Sequence, residues 1–396
     1  MGVELSTQVD PDTPPQTLSR RDLPAVAEFI LGGKCQKIVF LCGAGISTSA
    51  GIPDFRTPGT GLYSNLQTLN LPHPEAVFDI NFFRTNPQPF YTLAKSLHPG
   101  QFTPTVTHAF IALTAKKKLL HKCFTQNIDT LERAAGVPPE LLVEAHGSFA
   151  GQSCIDCHAA YPGDKMKENL LAGSVSKCEV CTGLVKPDIV FFGESLPREF
   201  HAGIGVVGEA DLVIIMGSSL SVYPFAALPG RAREGAVRVL INNERAGGIG
   251  GRADDVIVLG GCDRGVRRLA EELGWAGELE ETWKSIGGGS DKQPESSDAV
   301  ESIDAKVGRL TEEVERSLSV VDGWKEDVME DLSIQATRIN RMVEADLRGE
   351  KGEVSLVDRR KLDDQQSSTS SGNDTLQEKP DDPVKKDGSA EEANRS

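Results

Sequence analysis

The chain has 396 residues, 39% of them apolar and 25% charged, with a formal net charge of −16. That suffices for the core of one large domain or two ordinary ones, with polar length left over. No run of 18 apolar residues is present, which excludes a membrane-spanning helix; the acidic balance disfavours direct nucleic-acid binding and suits basic partners such as lysine-rich protein tails, although solubility and acidic tails explain it as well.

Residues 1–21 are polar and proline-bearing and read as a flexible arm. They contain no apolar h-region, which points away from secretion. "MGVELS" fits the acceptor pattern for myristoylation at Gly2. One acyl chain without a polybasic patch gives only reversible membrane contact. An amphipathic helix is expected from Leu23, with Val26, Phe29 and Ile30 at helical spacing before Gly32 and Gly33. Six short apolar runs then recur: "KIVFLCG", "KCFTQN", "LLVEAHG", "DLVIIMGSS", "VRVLINN" and "DVIVLGG". Their length and their Val and Ile content suit strands buried on both faces, with helices between several of them. The pattern predicts a parallel α/β sheet.

Ligands of such sheets bind beyond the carboxyl ends of the strands. Those ends carry Gly43–Ser47, Gln126–Asp129, His146–Gly147, Gly217–Ser219 and Asn242–Glu244. Two segments break the rhythm. Residues 61–103 read as a proline-rich helical insertion, and residues 149–188 carry four paired cysteines. After "ELGW" the sheet pattern stops, and residues 286–299 read as a linker. Residues 300–351 read as an amphipathic helical segment for regulation or oligomerisation. Val300, Ile303, Val307, Leu310, Val314 and Val321 form an apolar stripe there, which suits a short coiled coil or self-association through residues 300–321. Residues 352–396 are poor in apolar residues and read as a disordered tail.

"CIDC" and "CEVC" place Cys154, Cys157, Cys178 and Cys181 in two C-x2-C knuckles, the spacing of a tetrahedral zinc site rather than of disulfides or a redox pair. Four thiolates close the coordination sphere, so the metal stabilises a small module and does not catalyse. His158 is a spare ligand that the site does not need. Cys35, Cys42, Cys123 and Cys262 read as buried thiols.

"GAGIS" resembles half of a dinucleotide-binding turn. Gly43 and Gly45 are present, but Thr48 stands where the third glycine belongs. The plain alternative is a tight strand-to-helix turn. In "TQNIDTLE", Gln126 and Asn127 suit a carboxamide, and Asp129 can orient it or a water; the alternative is a helix cap. His146 in "EAHG" is either structural or a general base, since imidazole's ordinary pKa of about 6.5 is close to neutrality. Asn242 and Glu244 in "INNE" offer acceptors to ribose hydroxyls.

Taken in order, "GAGIS", "GIPDFR", "TQNIDTLE", "EAHG", the two knuckles, "VKPDIVFFGE" and "GSSL" resemble the sirtuins, the NAD-dependent protein deacylases, over residues 22–285. "STSAGIPDFR" and "LVKPDIVFFGESLP" look closest to class I members of the cytosolic type. The resemblance implies a Rossmann-like large domain, a smaller zinc-binding module and a cleft between them. It implies that NAD is consumed. The acyl-lysine oxygen attacks the ribose carbon that bears nicotinamide, nicotinamide leaves, and a ribose hydroxyl deprotonated by His146 attacks the imidate. The products are deacylated lysine and O-acyl-ADP-ribose. On this chain Ala44, Gly45, Ile46, Ser47 and Thr48 would line phosphates and ribose. Asp54, Phe55 and Arg56 would lie on the cofactor loop, with Phe55 shielding the reactive ribose. Gln126, Asn127, Ile128 and Asp129 would hold nicotinamide and ribose. Ser218, Ser219, Asn242, Asn243, Glu244 and Cys262 would hold the adenosine half. Val190 and Phe191 would line the acyl-lysine tunnel, while Gly193, Glu194, Ser221, Val222 and Tyr223 would pair with the substrate backbone. Ser218 replaces the threonine common in the family and keeps the hydroxyl.

The expected partners are acyl-lysine proteins with basic tails, histones among them, and the expected place is the cytoplasm with access to the nucleus. An NAD-dependent protein ADP-ribosyltransferase would share the first chemical step. A catalytically weak NAD-sensing scaffold is disfavoured by the joint presence of His146, Asn127 and Asp129. No hydride-accepting pocket is signalled, which disfavours a dehydrogenase.

Overall fold

The computed structural model describes residues 8–10, 12–55, 57, 61–62, 66 and 71–289. Gly2, Arg56 and the stripe of residues 300–321 lie outside them. The strands among the described residues are β1 (Ile38–Cys42), β2 (Leu120–Thr125), β3 (Leu142–Glu144), β4 (Gly147–Cys154), β5 (Val185–Ile189), β6 (Leu212–Met216), β7 (Val237–Asn242) and β8 (Asp255–Leu259). The α-helices are α1 (Leu23–Leu31), α2 (Ile80–Thr85), α3 (Gln88–Leu97), α4 (Val106–Lys116), α5 (Leu131–Ala134), α6 (Gly163–Leu171), α7 (Arg198–Gly203), α8 (Cys262–Glu272) and α9 (Ala276–Ser285).

Each of the six apolar runs became a strand of one parallel sheet, in the order β3-β2-β1-β6-β7-β8. The reason is visible in β1. Ile38, Phe40 and Cys42 enter the core on one face, and Val39 and Leu41 enter the core on the other. Helices α1, α4, α8 and α9 cover the first face. Helix α7 and the short 3-10 helices Ile204–Glu209 and Phe225–Arg231 cover the second. The chain runs from β1 to β2 and β3 on one side and returns to β6 on the other. This reversal opens a crevice at the carboxyl ends of β1 and β6.

A second core lies outside the sheet. Antiparallel β4 and β5, with α6, pack against α2 and α3. Phe78, Phe83, Phe90, Tyr91 and Phe191 interlock there, with Phe90 and Phe191 centroids 4.9 Å apart. The Tyr91 hydroxyl donates to Val185 O at 2.6 Å and accepts from Ser176 N. The paired-cysteine module therefore shares its apolar interior with the helices of residues 74–97 and does not rely on metal alone.

The arm expected over residues 1–21 is tied down where it is described. The Asp254 carboxylate accepts the N–H groups of Gln16, Thr17 and Leu18, and Arg21 reaches Ala253 O. A buried aspartate needs such donors, and the arm supplies them. Among the described residues no helix is long and apolar enough to cross a membrane.

Candidate active site

The crevice begins with glycines. Gly45 N–H donates to Gly217 O at 2.8 Å, and Gly43 N–H to Met216 O at 3.0 Å. A Cβ on Gly45 would sit 2.7 Å from Gly217 Cα, and one on Gly43 would sit 2.7 Å from Gly217 O. Both loops thus need glycine to approach each other. After Gly43 the backbone makes two short 3-10 helices, Ala44–Ile46 and Thr48–Ala50, instead of a long α-helix. This accounts for Thr48 in the third glycine position. That glycine would serve close packing of a regular helix on its strand, and no such helix follows.

Next to this loop, Ser47, Asn127 and Asp129 form a hydrogen-bonded chain. Asn127 Nδ2 donates to Ser47 Oγ at 3.2 Å, and Ser47 Oγ–H donates to Asp129 Oδ2 at 2.6 Å. Asp129 Oδ1 accepts Leu131 N–H at 2.9 Å at the start of α5. The two sequence alternatives for Asp129 are therefore both realised: one oxygen serves the turn and the other the Ser47 chain. Gln126 Nε2 donates to Ser218 Oγ at 2.7 Å, which joins the β2 and β6 loops.

His146 stands between β3 and β4. Its Nδ1 lies 3.1 Å from Gln126 O. A carbonyl only accepts, so Nδ1 carries the proton and Nε2 keeps the basic lone pair. The His146 carbonyl accepts Val190 N–H at 2.8 Å, at the end of β5. Phe191 is held in turn by Glu194. Its Oε2 accepts Phe191 N–H at 2.8 Å and lies 3.0 Å from Lys186 Nζ, whose side chain is 8% exposed. Lys186 Nζ also donates to Ile189 O at 2.6 Å and sits over the Phe191 ring.

A cavity of about 820 Å³ collects these groups. Of the residues singled out from sequence, it is lined by Ala44, Gly45, Asp54, Phe55, Gln126, Asn127, Ile128, His146, Val190, Phe191, Gly193, Glu194, Ser218, Ser219, Val222, Tyr223, Asn242, Asn243 and Glu244. A smaller adjoining pocket adds Ser47 and Asp129 beside Ala44, Phe55, Asn127 and Ile128. Ile46, Thr48, Ser221 and Cys262 line neither. Ser221 bonds Ser219 at 2.9 Å, and the buried Cys262 thiol turns to Ile241 O. Burial pushes that thiol up to about 12. Gly43 and Gly217, named at the strand ends, also line the larger cavity, whereas sequence reading passed over Thr57, Phe78, Ile189, Phe192, Leu196 and Pro224. Phe192 is 48% exposed directly after the buried Phe191, a difference that two adjacent phenylalanines do not show in sequence.

The four cysteines meet at the far end of the β4–β5 ladder. Their sulfurs lie within 4.8 Å of one another, with Cys154–Cys181 at 3.4 Å and Cys157–Cys178 at 3.6 Å. A tetrahedral zinc with bonds of about 2.3 Å spaces its sulfurs about 3.8 Å apart, so the donors fit that ion. The knuckles are built alike. Asp156 N–H and Val180 N–H donate to Cys154 Sγ and Cys178 Sγ, and His158 and Thr182 follow the second cysteines with positive φ. The left-handed turn at His158 is part of the knuckle, and His158 is not in the sulfur cluster. Strand β4 runs from Gly147, next to His146, to Cys154; β5 returns from Val185 to Ile189, next to Val190.

Comparison with known proteins agrees with this geometry. The Sir2 family profile matches residues 43–224. The NAD-dependent protein deacetylase hst2-1 of Emericella nidulans is 52% identical over 336 residues, covering 84% of this chain and 93% of the relative. The NAD-dependent protein deacetylase sirtuin-2 of Danio rerio is 50% identical over 289 residues, 68% of this chain and 76% of the relative. The hst2 deacetylase of Schizosaccharomyces pombe is 47% identical over 305 residues, 77% of this chain and 85% of the relative. With about half of all residues shared across most of both lengths, the chain belongs to the Sir2 family.

Proposed function

We infer that this protein is an NAD-dependent protein-lysine deacetylase, an enzyme with one structural zinc. The observation that carries the reading is the placing of His146, whose Nδ1 faces the Gln126 carbonyl, and Asn127 in the large cavity, with Ser47 and Asp129 of the same hydrogen-bonded chain in the pocket that adjoins it. When bound, NAD supplies the ribose carbon that receives the acetyl-lysine oxygen and the hydroxyl that takes over the acetyl group. Asn127 and Asp129, set by Ser47, hold the nicotinamide amide and the ribose. Ile128 and Phe55 cover that end and exclude water. Ala44–Thr48 follow phosphates and ribose, with Asp54 and Arg56 on the same loop. Ser218, Ser219, Asn242, Asn243, Glu244 and Cys262 take the adenosine half. Val190 and Phe191 receive the acetylated side chain, and Gly193–Glu194 with Ser221–Tyr223 pair with the peptide backbone. His146 Nε2 removes the hydroxyl proton after nicotinamide has left. Cys154, Cys157, Cys178 and Cys181 hold the zinc, and the β4–β5 ladder carries that support to His146 and Val190.

The substrates are acetylated lysines in basic tails such as those of histones, favoured by a net charge of −16. The catalytic domain spans 22–285, with a helical insertion at 61–103 and the zinc module at 149–188. Residues 286–299 as a linker, 300–351 as a segment for regulation or oligomerisation and 352–396 as a tail complete the reading, and from residue 290 on they lie outside the described residues. The expected place is cytoplasmic with nuclear access; the buried thiols Cys35, Cys42, Cys123 and Cys262 outside the zinc cluster suit a reducing compartment, and fractionation tests both. Myristoylation of Gly2 is tested by intact mass from the native source. Mass spectrometry of an acetyl-lysine peptide incubated with NAD tests the activity. Deacetylated peptide and nicotinamide are expected in equal amounts, without NADH. ADP-ribose transferred to protein with the acetyl group retained would favour the ADP-ribosyltransferase.

A further inference from the structure

The turn that carries Asn127 and Asp129 rests on two buried polar side chains, His108 and Glu132, that line neither cavity. His108 on α4 is fully buried and Glu132 on α5 is 1% exposed. A nitrogen of His108 and carboxylate oxygens of Glu132 and Asp129 all lie within 4.8 Å of one another. The first turn of α4 sets the imidazole. Thr105 N–H donates to His108 Nδ1 at 3.2 Å, and the Thr105 hydroxyl lies 2.8 Å from the same nitrogen and 2.9 Å from Ile46 O. A backbone N–H only donates, so Nδ1 accepts and the ring proton sits on Nε2. That Nε2 and Glu132 Oε1 are both buried without a hydrogen-bond partner. Folded interiors leave few such atoms unsatisfied. Two bonds of about 2.8 Å through one water span roughly 4.6 Å, the scale of this cluster.

Burial, and next the charge of Asp129, push Glu132 up to about 8. Burial holds His108 below its ordinary value, against Asp129 and Asp263. A hydrogen bond from the Thr125 side chain opposes the rise at Glu132, and the other titratable or charged groups that face Glu132 are Glu144 from β3, Cys42 from β1 and Arg133 of its own helix. Arg133 is engaged by both oxygens of Glu144, so it is not the counter-ion of Glu132.

We propose that His108, Glu132 and Asp129 bind one internal water, and that His108 and Glu132 are positioning residues which leave Asp129 the single anion of the cluster. Uncharged Glu132 lets Asp129 keep Ser47, and Ser47 keep Asn127. A second carboxylate charge beside Asp129 would repel it and loosen that chain. The inference rests on the reading of Asn127 and Asp129 as cofactor contacts.

The test uses the full-length, zinc-loaded enzyme. Infrared difference spectra between parent and Glu132→Gln should show a protonated carboxyl group at neutral pH that is lost as the pH rises through about 8. The parent's kcat for deacetylation should fall over the same range, whereas Glu132→Gln should lack that alkaline limb. No protonated carboxyl at neutral pH, or an unchanged limb in Glu132→Gln, overturns the proposal. If Glu132→Gln does not fold, carbon-13 labelling of glutamate in the parent decides by the same band. A crystal structure with a water bonded to both His108 Nε2 and Glu132 Oε1 supports the site, and a direct contact between them overturns the water. Unchanged NAD affinity in Asp129→Asn would end the cofactor reading alone, because the infrared band does not depend on it.

Discussion

Replacing Gly217 with alanine perturbs the point where the β1 and β6 loops touch. Gly217 has φ +60, and its added Cβ would lie 2.5 Å from Ile46 N and 2.6 Å from Gly45 C, all backbone. The left-handed conformation costs about 1–2 kcal/mol for an alanine. Forcing a methyl group into a packed contact adds about 1–3 kcal/mol. The sum, about 2–5 kcal/mol, is a large share of the roughly 5–15 kcal/mol that holds a domain folded. Any relaxation must move the Ala44–Ile46 turn, so part of the cost should appear as weaker NAD binding. Gly277 in α9 is the control, since a Cβ there meets nothing within 4 Å. Gly277→Ala should stabilise by up to about 1 kcal/mol. Urea unfolding gives the stabilities, and calorimetric titration gives the NAD affinity. A Gly217→Ala protein with both unchanged would refute the reasoning.

Cys178→Ala should lower zinc from about one ion per chain and destabilise β4–β5; metal analysis checks it, and a fully active parent without zinc would contradict the fit. Lys186→Met leaves Glu194 without its cation, so the KM for acetylated peptide should rise about tenfold through movement of Phe191, with the KM for NAD little changed. Equal shifts in both constants would count against it. Stability should also respond to Glu132. Its folded value of about 8 lies above a glutamate's ordinary 4.5, so its contribution is complete below 4.5 and is lost as the pH rises to about 8. Glu132→Gln avoids that loss, and its advantage in urea should grow across this window by a few kcal/mol and then level off.

The parallel sheet was legible because β1, β6 and β7 are buried on both faces, so their residues read as unbroken apolar runs. Strand order was not, since nothing local in "KIVFLCG" names β6 as its neighbour. The cysteine knuckles were legible because each closes within six residues. The site was legible where its residues cluster at strand ends, as in "TQNID". What escaped is non-local. Gly43 and Gly45 need Gly217, 174 and 172 residues away, and no spacing shows that approach. His108 looks like one more core position in "VTHAFIALTA", and Glu132 like a surface helix residue. Only the fold puts them together. Lys186 was hidden likewise, because its partner Glu194 lies beyond β5.

The central claim is that His146 acts as a base after nicotinamide has left. The most direct measurement compares His146→Ala with the parent in two reactions of the same acetylated peptide: nicotinamide exchange and deacetylation. Loss of a general base is worth about 10²–10⁴-fold. The account predicts a loss of that size in deacetylation and a much smaller one in exchange, which depends on Asn127 and Asp129. Equal losses in both reactions, or deacetylation at the parent's rate, would contradict it.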